Sequence, residues 1–111
     1  MEPTPPLSEA DVLDEIVGRL TRDLDPEHVY LFGSRARGDS ESDSDYDILI
    51  VVTDSDLPGY ARDRIALRAL RGLRVPVDVI VLTREEFDRK RGVACSLPAT
   101  VEREGKLLYA A

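Results

Sequence analysis

Residues 31–52 read LFGSRARGDSESDSDYDILIVV, and the fold turns on how this stretch is divided. "HVYLF", residues 28–32, is β-branched and aromatic, which predicts a strand that Gly33 ends. Residues 34–37 are expected to make a short helical turn and 38–44 a polar loop. "YDILIVV", residues 46–52, is then a second strand. Its apolar run is unbroken behind Asp47, so both of its faces should be covered. The question it raises is why carboxylates stand at the mouth of a buried strand.

Working outward, residues 1–7 form a proline-rich extension and residues 8–111 one domain. Ser8 is a candidate N-cap, with Asp11 making a weak capping box. Leu13, Ile16, Val17, Leu20 and Leu24 recur at helical spacing, which predicts a helix over 9–24. Asp25-Pro26 breaks it. A helix over 60–72 is expected to set Ile65, Ala66, Ala69, Leu70 and Leu73 on one side and four arginines elsewhere. "VPVDVIVLT", residues 75–83, reads as a third strand, with Pro76 near its start. Thr83 and Glu86 form a capping box for a helix over 84–91. Pro98 suits the first turn of a short helix ending at Gly105, and "KLLYA" a last strand. The expected fold is α/β, a small mixed sheet of three to four strands flanked by helices.

Composition narrows the function. The chain has 111 residues and a net charge of −7, with 33% charged and 42% hydrophobic residues. An acidic surface repels a phosphate backbone, so no direct nucleic-acid partner is expected. The apolar runs are too short for a membrane span, and the N-terminus lacks the pattern of a signal peptide. A lone cysteine, Cys95, makes no internal disulfide and fits a cytoplasmic setting; it reads as a small buried residue.

The acids carry the chemistry. Side chains alternate along a strand, so Asp45 and Asp47 share a face if the strand extends back to residue 45, with Cβ atoms roughly 6.6 Å apart. Asp78 sits between Val77 and Val79, where a charge is costly unless paired or metal-bound. If the second and third strands are neighbours, the three carboxylates form one site suited to two-metal phosphoryl transfer. Gly33 permits close approach of backbone to a ligand. Ser34, with N–H groups opening a short helix, offers a phosphate seat. Arg35 and Arg37 are candidates for bidentate contact with phosphate, or for a solvated helix face, and Arg37 also for pairing the loop acids. Asp39, Glu41 and Asp43 in the loop are competing acids. His28 has no partner at ligand spacing and reads as structural. Arg89-Lys90-Arg91 ends a helix, where cations suit the dipole.

Gly33-Ser34, ten residues, then Asp45-Tyr46-Asp47 resembles the G-S-x10-D-x-D pattern of the minimal nucleotidyltransferases, in the DNA polymerase beta superfamily. Asp78 stands where that family carries its third carboxylate, and "GSRARG" and "EREGKLLYA" look like its antitoxin branch. The resemblance covers most of the chain. It implies a polymerase-beta-like fold and a Mg²⁺-dependent enzyme, with two ions held by Asp45, Asp47 and Asp78. It also implies nucleotide binding at Gly33, Ser34 and Arg37. The implied reaction transfers AMP from ATP to a hydroxyl, usually a tyrosine, of a HEPN-domain ribonuclease toxin, in a hetero-oligomer with that toxin. The rival expectation is a binding module that silences its partner by contact alone, with Leu107, Leu108 and Tyr109 contributing. A metal-dependent nuclease would use similar acids, but the Gly-Ser seat favours a triphosphate donor.

Overall fold

The structure, a computed structural model, describes residues 8–41 and 44–111. The expected extension over 1–7 and the loop acid Asp43 lie outside the described residues. The elements in chain order are α1 (Glu9–Leu24), β1 (His28–Phe32), α2 (Ser34–Arg37), β2 (Tyr46–Val52), α3 (Gly59–Ala69), β3 (Val77–Thr83), α4 (Arg84–Arg91), α5 (Leu97–Glu104) and β4 (Lys106–Ala110).

The four strands form one mixed sheet in the order β3-β2-β1-β4. β1 is antiparallel to both β2 and β4, whereas β2 and β3 run parallel. A parallel pair needs a crossover, and α3 supplies it. Alternation along the strands sorts two cores. Val29, Leu31, Ile48, Ile50, Val52, Val79 and Val81 meet α1 and α3 on one face. Leu49 and Val51 meet Phe87 of α4 and Val101 of α5 on the other. Central β2 is therefore covered on both sides, as its unbroken apolar run predicts.

Local chemistry accounts for the ends. The Ser8 side chain accepts the Asp11 N–H at 3.1 Å and starts α1. Thr83 and Glu86 complete the expected capping box. Ser96 caps α5, with Pro98 in its first turn. At Gly105 a side chain would press on the carbonyl oxygens of Val101 and Leu31, so only glycine lets β4 turn in against β1.

Four expectations are corrected. The third helix ends at Ala69 rather than 72, because Leu70–Leu73 tightens into turns. β3 begins at Val77 rather than 75, since Pro76 has no N–H for a ladder; its carbonyl instead accepts from the Tyr46 N–H. Cys95 is exposed, with φ 67°, in the tight connection between α4 and α5. Finally, the faces of α3 differ from the periodicity: Ile65 is 38% exposed, while Arg62 is buried.

The burial of Arg62 has a structural reason. β3 is an edge strand, and its outward backbone groups need partners. Asp63 accepts the Val81 N–H at 2.8 Å, and Arg62 Nη1 donates to the Val81 carbonyl at 3.1 Å. Consecutive side chains of α3 thus close the edge. Arg62 also reaches Glu86 through two hydrogen bonds, at 2.5 and 3.1 Å, tying α3 to the start of α4.

Candidate active site

The predicted residues gather where β1 ends and β2 and β3 begin. Phe32 is paired with Asp47 across the antiparallel ladder, and Asp47 with Asp78 across the parallel one. Register partners share a face, so these two carboxylates stand side by side on the α4/α5 side of the sheet. β2 starts at Tyr46, so Asp45 lies just ahead of the strand, exposed, rather than within it. Tyr46 points the other way, into the α1/α3 core.

Gly33 is fitted to Asp47. Its backbone, at φ 74° and ψ −156°, lies in a region that is essentially glycine's own. A Cβ there would overlap Asp47 Oδ2. The turn after β1 thus presses its bare backbone against the carboxylate. Gly33→Ala is expected to cost about 1–3 kcal/mol from the backbone alone. Thermal unfolding would show it as a clearly lower Tm, and an unchanged Tm would contradict the fit.

Ser34 opens α2, whose Ala36 and Arg37 N–H groups both donate to the Gly33 carbonyl at 3.1 Å. Its two arginines part company. Arg35 is buried, with its guanidinium 3.9 Å from the centre of the Tyr46 ring. It donates to the Ser44 carbonyl from Nε at 3.0 Å and Nη2 at 2.8 Å, and pairs with Glu9 at 3.7 Å. It clamps the chain immediately before Asp45 and so positions that acid. Sequence reasoning missed this role, since nothing in the spacing pairs residue 35 with the carbonyl of residue 44. Arg37 is exposed, holds Asp39 at 3.2 Å, and its charge acts on Asp47. Glu41, the other loop acid, is exposed.

The electrostatics single out Asp47. Partial burial, first, then the charges of Asp78 and Asp45, push its carboxyl above the usual range, while Arg37 draws it back. An acid crowded by two others is stabilised by a cation. Among the described residues, however, no three His, Cys, Asp or Glu side chains draw close enough to cage a metal unaided. Mg²⁺ is commonly held by one or two carboxylates completed by substrate phosphates and water. The donor set, all carboxylate oxygen, is the hard one that this ion takes. The residues present therefore fit such an ion, provided that the phosphates share in holding it.

This combination, a Gly-Ser turn leading to paired carboxylates on a mixed sheet, defines a domain of the nucleotidyltransferase type. The model of the family described as "Nucleotidyltransferase domain" matches residues 13–107, and the chain belongs to that family. Members of the family typically use a nucleoside triphosphate and a divalent metal. A putative nucleotidyltransferase from Sulfolobus solfataricus is 34% identical, with a TM-score of 0.64, covering 89% of this chain and 78% of that one. A toxin–antitoxin crystal structure with AMP-PNP is 26% identical, with a TM-score of 0.66, over 89% of this chain and 73% of that one. A Tyr-to-Ala variant of the MntA toxin–antitoxin pair is also 26% identical, with a TM-score of 0.64, over 96% and 75% of the two chains. No curated protein matches in sequence. No described helix is long and apolar enough to cross a membrane.

Proposed function

We propose that this chain is a cytoplasmic antitoxin that transfers AMP from ATP to a hydroxyl, a tyrosine's, on a HEPN-domain ribonuclease toxin and thereby silences it. The observation that carries the reading is the register pairing of Asp47 with Asp78, with Gly33 packed on Asp47. The likeness to a toxin–antitoxin pair crystallised with AMP-PNP supports the choice of nucleotide and partner.

In this reading Gly33 lets the backbone approach the triphosphate, and Ser34 with the backbone next to it holds the β- and γ-phosphates. Arg37 contacts the same phosphates from the rim. Asp45, Asp47 and Asp78 would hold Mg²⁺, two ions, together with phosphate oxygens. When bound, the metal neutralises phosphate charge and favours ionisation of the acceptor hydroxyl. Asp78 faces the acceptor and takes its proton. The freed oxygen bonds to the α-phosphorus as the bond to the bridging oxygen breaks in line, and pyrophosphate leaves. Arg35 makes no contact with nucleotide in this scheme; it fixes the approach to Asp45.

The test is an intact-mass measurement. The purified chain is mixed with the protein encoded by the adjacent reading frame, ATP and Mg²⁺. The partner's mass is expected to rise by one or more AMP units, and to stay constant when EDTA replaces Mg²⁺. A partner silenced within a complex without any mass change would establish silencing by contact instead.

A further inference from the structure

We propose that the exposed face of α3 and the turn after it dock an acidic surface of the protein acceptor, guiding its hydroxyl toward Asp78. This inference rests on the transferase reading above, since it names the surface by which that reaction's acceptor is held. The first observation is the charge of this strip. Arg64, Arg68, Arg71 and Arg74 are all exposed, and none makes an ion pair among the described residues. Elsewhere Arg22, Arg37, Arg84 and Arg91 each lean on a neighbouring acid. The only acid between Gly59 and Pro76 is Asp63, which is occupied with the Val81 N–H. On a chain of net charge −7, this is a concentrated patch of opposite sign.

The second observation is what lies between the arginines. Tyr60 is 69% and Leu67 49% exposed, and they share the outer side of α3 with Arg64, with Arg71 following in the turn after it. Leu57, also exposed, stands just before the helix. Tyrosine and arginine are the residues that dominate the energetics of protein–protein interfaces. A track for a polyphosphate backbone has no use for the leucines. The mixture therefore fits a protein that offers carboxylates around an apolar centre.

The third observation is position. α3 lies along the β3 edge of the sheet, and residues 70–76 carry the chain from it to the start of β3, where Asp78 stands. The Pro76 carbonyl accepts from the Tyr46 N–H at 2.9 Å, so this turn also borders the residue between Asp45 and Asp47. Arg19 Nη1 fixes the turn by donating to the Arg71 carbonyl at 2.7 Å. The basic strip lies on the α1/α3 side of the sheet and ends at Arg74, four residues before Asp78, so a partner seated on it reaches the acid site around the β3 edge. A partner held there by its own acids would be steered toward the acceptor side by opposite charge.

Calorimetric titration of the adjacent reading frame's product into the full chain tests the assignment, at 50 and 300 mM NaCl. Binding by the unaltered chain is expected to weaken with salt. Arg68→Glu/Arg71→Glu should weaken it about tenfold or more at low salt and flatten its salt dependence. Tyr60→Ala, which leaves every charge in place, should weaken it about tenfold at both salts. These side chains are exposed, so thermal melts should match the unaltered chain. Variants that bind like the parent would overturn the assignment, as would a parent that does not bind that product. So would single-stranded RNA gripped by this face and released by the double variant, which would make the strip a nucleic-acid surface. Arg-dependent binding without any AMP transfer would fail the transferase reading and leave the docking face standing.

Discussion

An Asp47→Asn chain is expected to lose AMP transfer by a factor of about 10³ or more while still folding and still binding its partner. Removing several kcal/mol of charge stabilisation from a phosphoryl transition state gives that order of rate loss. The substitution keeps the shape that Gly33 packs against and removes only the charge. It also carries a thermodynamic signature. Burial and the charges of Asp78 and Asp45 raise the Asp47 carboxyl above its unfolded value, so the folded chain holds that proton more tightly than the unfolded one. Stability is then lost as pH rises from the unfolded value through the raised one. At pH 7 and without metal, the Asn chain should melt higher than the parent, and the gap should close in acid. Added Mg²⁺ and ATP should raise the Tm of the parent far more than that of the variant, because a ligand stabilises only the state that binds it. Transfer at the parental rate, measured by partner mass against time, would remove Asp47 from the site.

Much of this could be read from residue order. The Gly-Ser turn, the Asp-x-Asp at the mouth of β2 and the buried alternation of β1 and β2 are local patterns, and local patterns survive folding. Asp78 was legible because an acid inside an apolar run invites explanation, although the expected cost of a buried charge does not arise there, since at the start of an edge strand Asp78 is exposed. Its alignment with Asp47 was not, since register belongs to the parallel pairing and no short-range signal encodes it. The arginines misled for the same reason. Arg35 and Arg37 look alike in sequence, but only Arg35 meets the Tyr46 ring and the Ser44 carbonyl. Periodicity places Arg62 with the other arginines, off the apolar side of its helix, because its partners lie 19 and 24 residues away. Helical periodicity sees an arginine on the core side as an error. The edge of β3 makes it a requirement.

Glu86 is where that requirement can be measured. Its carboxylate accepts both terminal nitrogens of buried Arg62 and the Thr83 N–H at 2.8 Å, so one side chain closes the capping box and neutralises the guanidinium. The Arg62 hydrogen bonds, then the Thr83 backbone, lower the Glu86 carboxyl to about 2. A carboxyl depressed on folding stabilises the fold above its unfolded value near 4.5, and that contribution drains away as pH falls toward 2. Glu86→Ala should therefore cost about 2–3 kcal/mol at pH 7, below the full range for a buried pair because the Glu86 side chain is 32% exposed. Urea unfolding across pH 2–7 would show the parent losing stability between pH 4.5 and 2 and the variant changing less there. The guanidinium is not ideally served even in the parent, since its Nε is buried without a hydrogen-bond partner among the described residues. Replacing both members, Arg62→Met with Glu86→Met, should then recover part of the loss by removing an imperfectly satisfied charge from the interior. The Val81 carbonyl would remain unpaired and keep the recovery incomplete. Equal stabilities for the Glu86→Ala and parent chains would mean that water serves Arg62 as well as the carboxylate does, and that the α3–α4 tie contributes nothing to the fold.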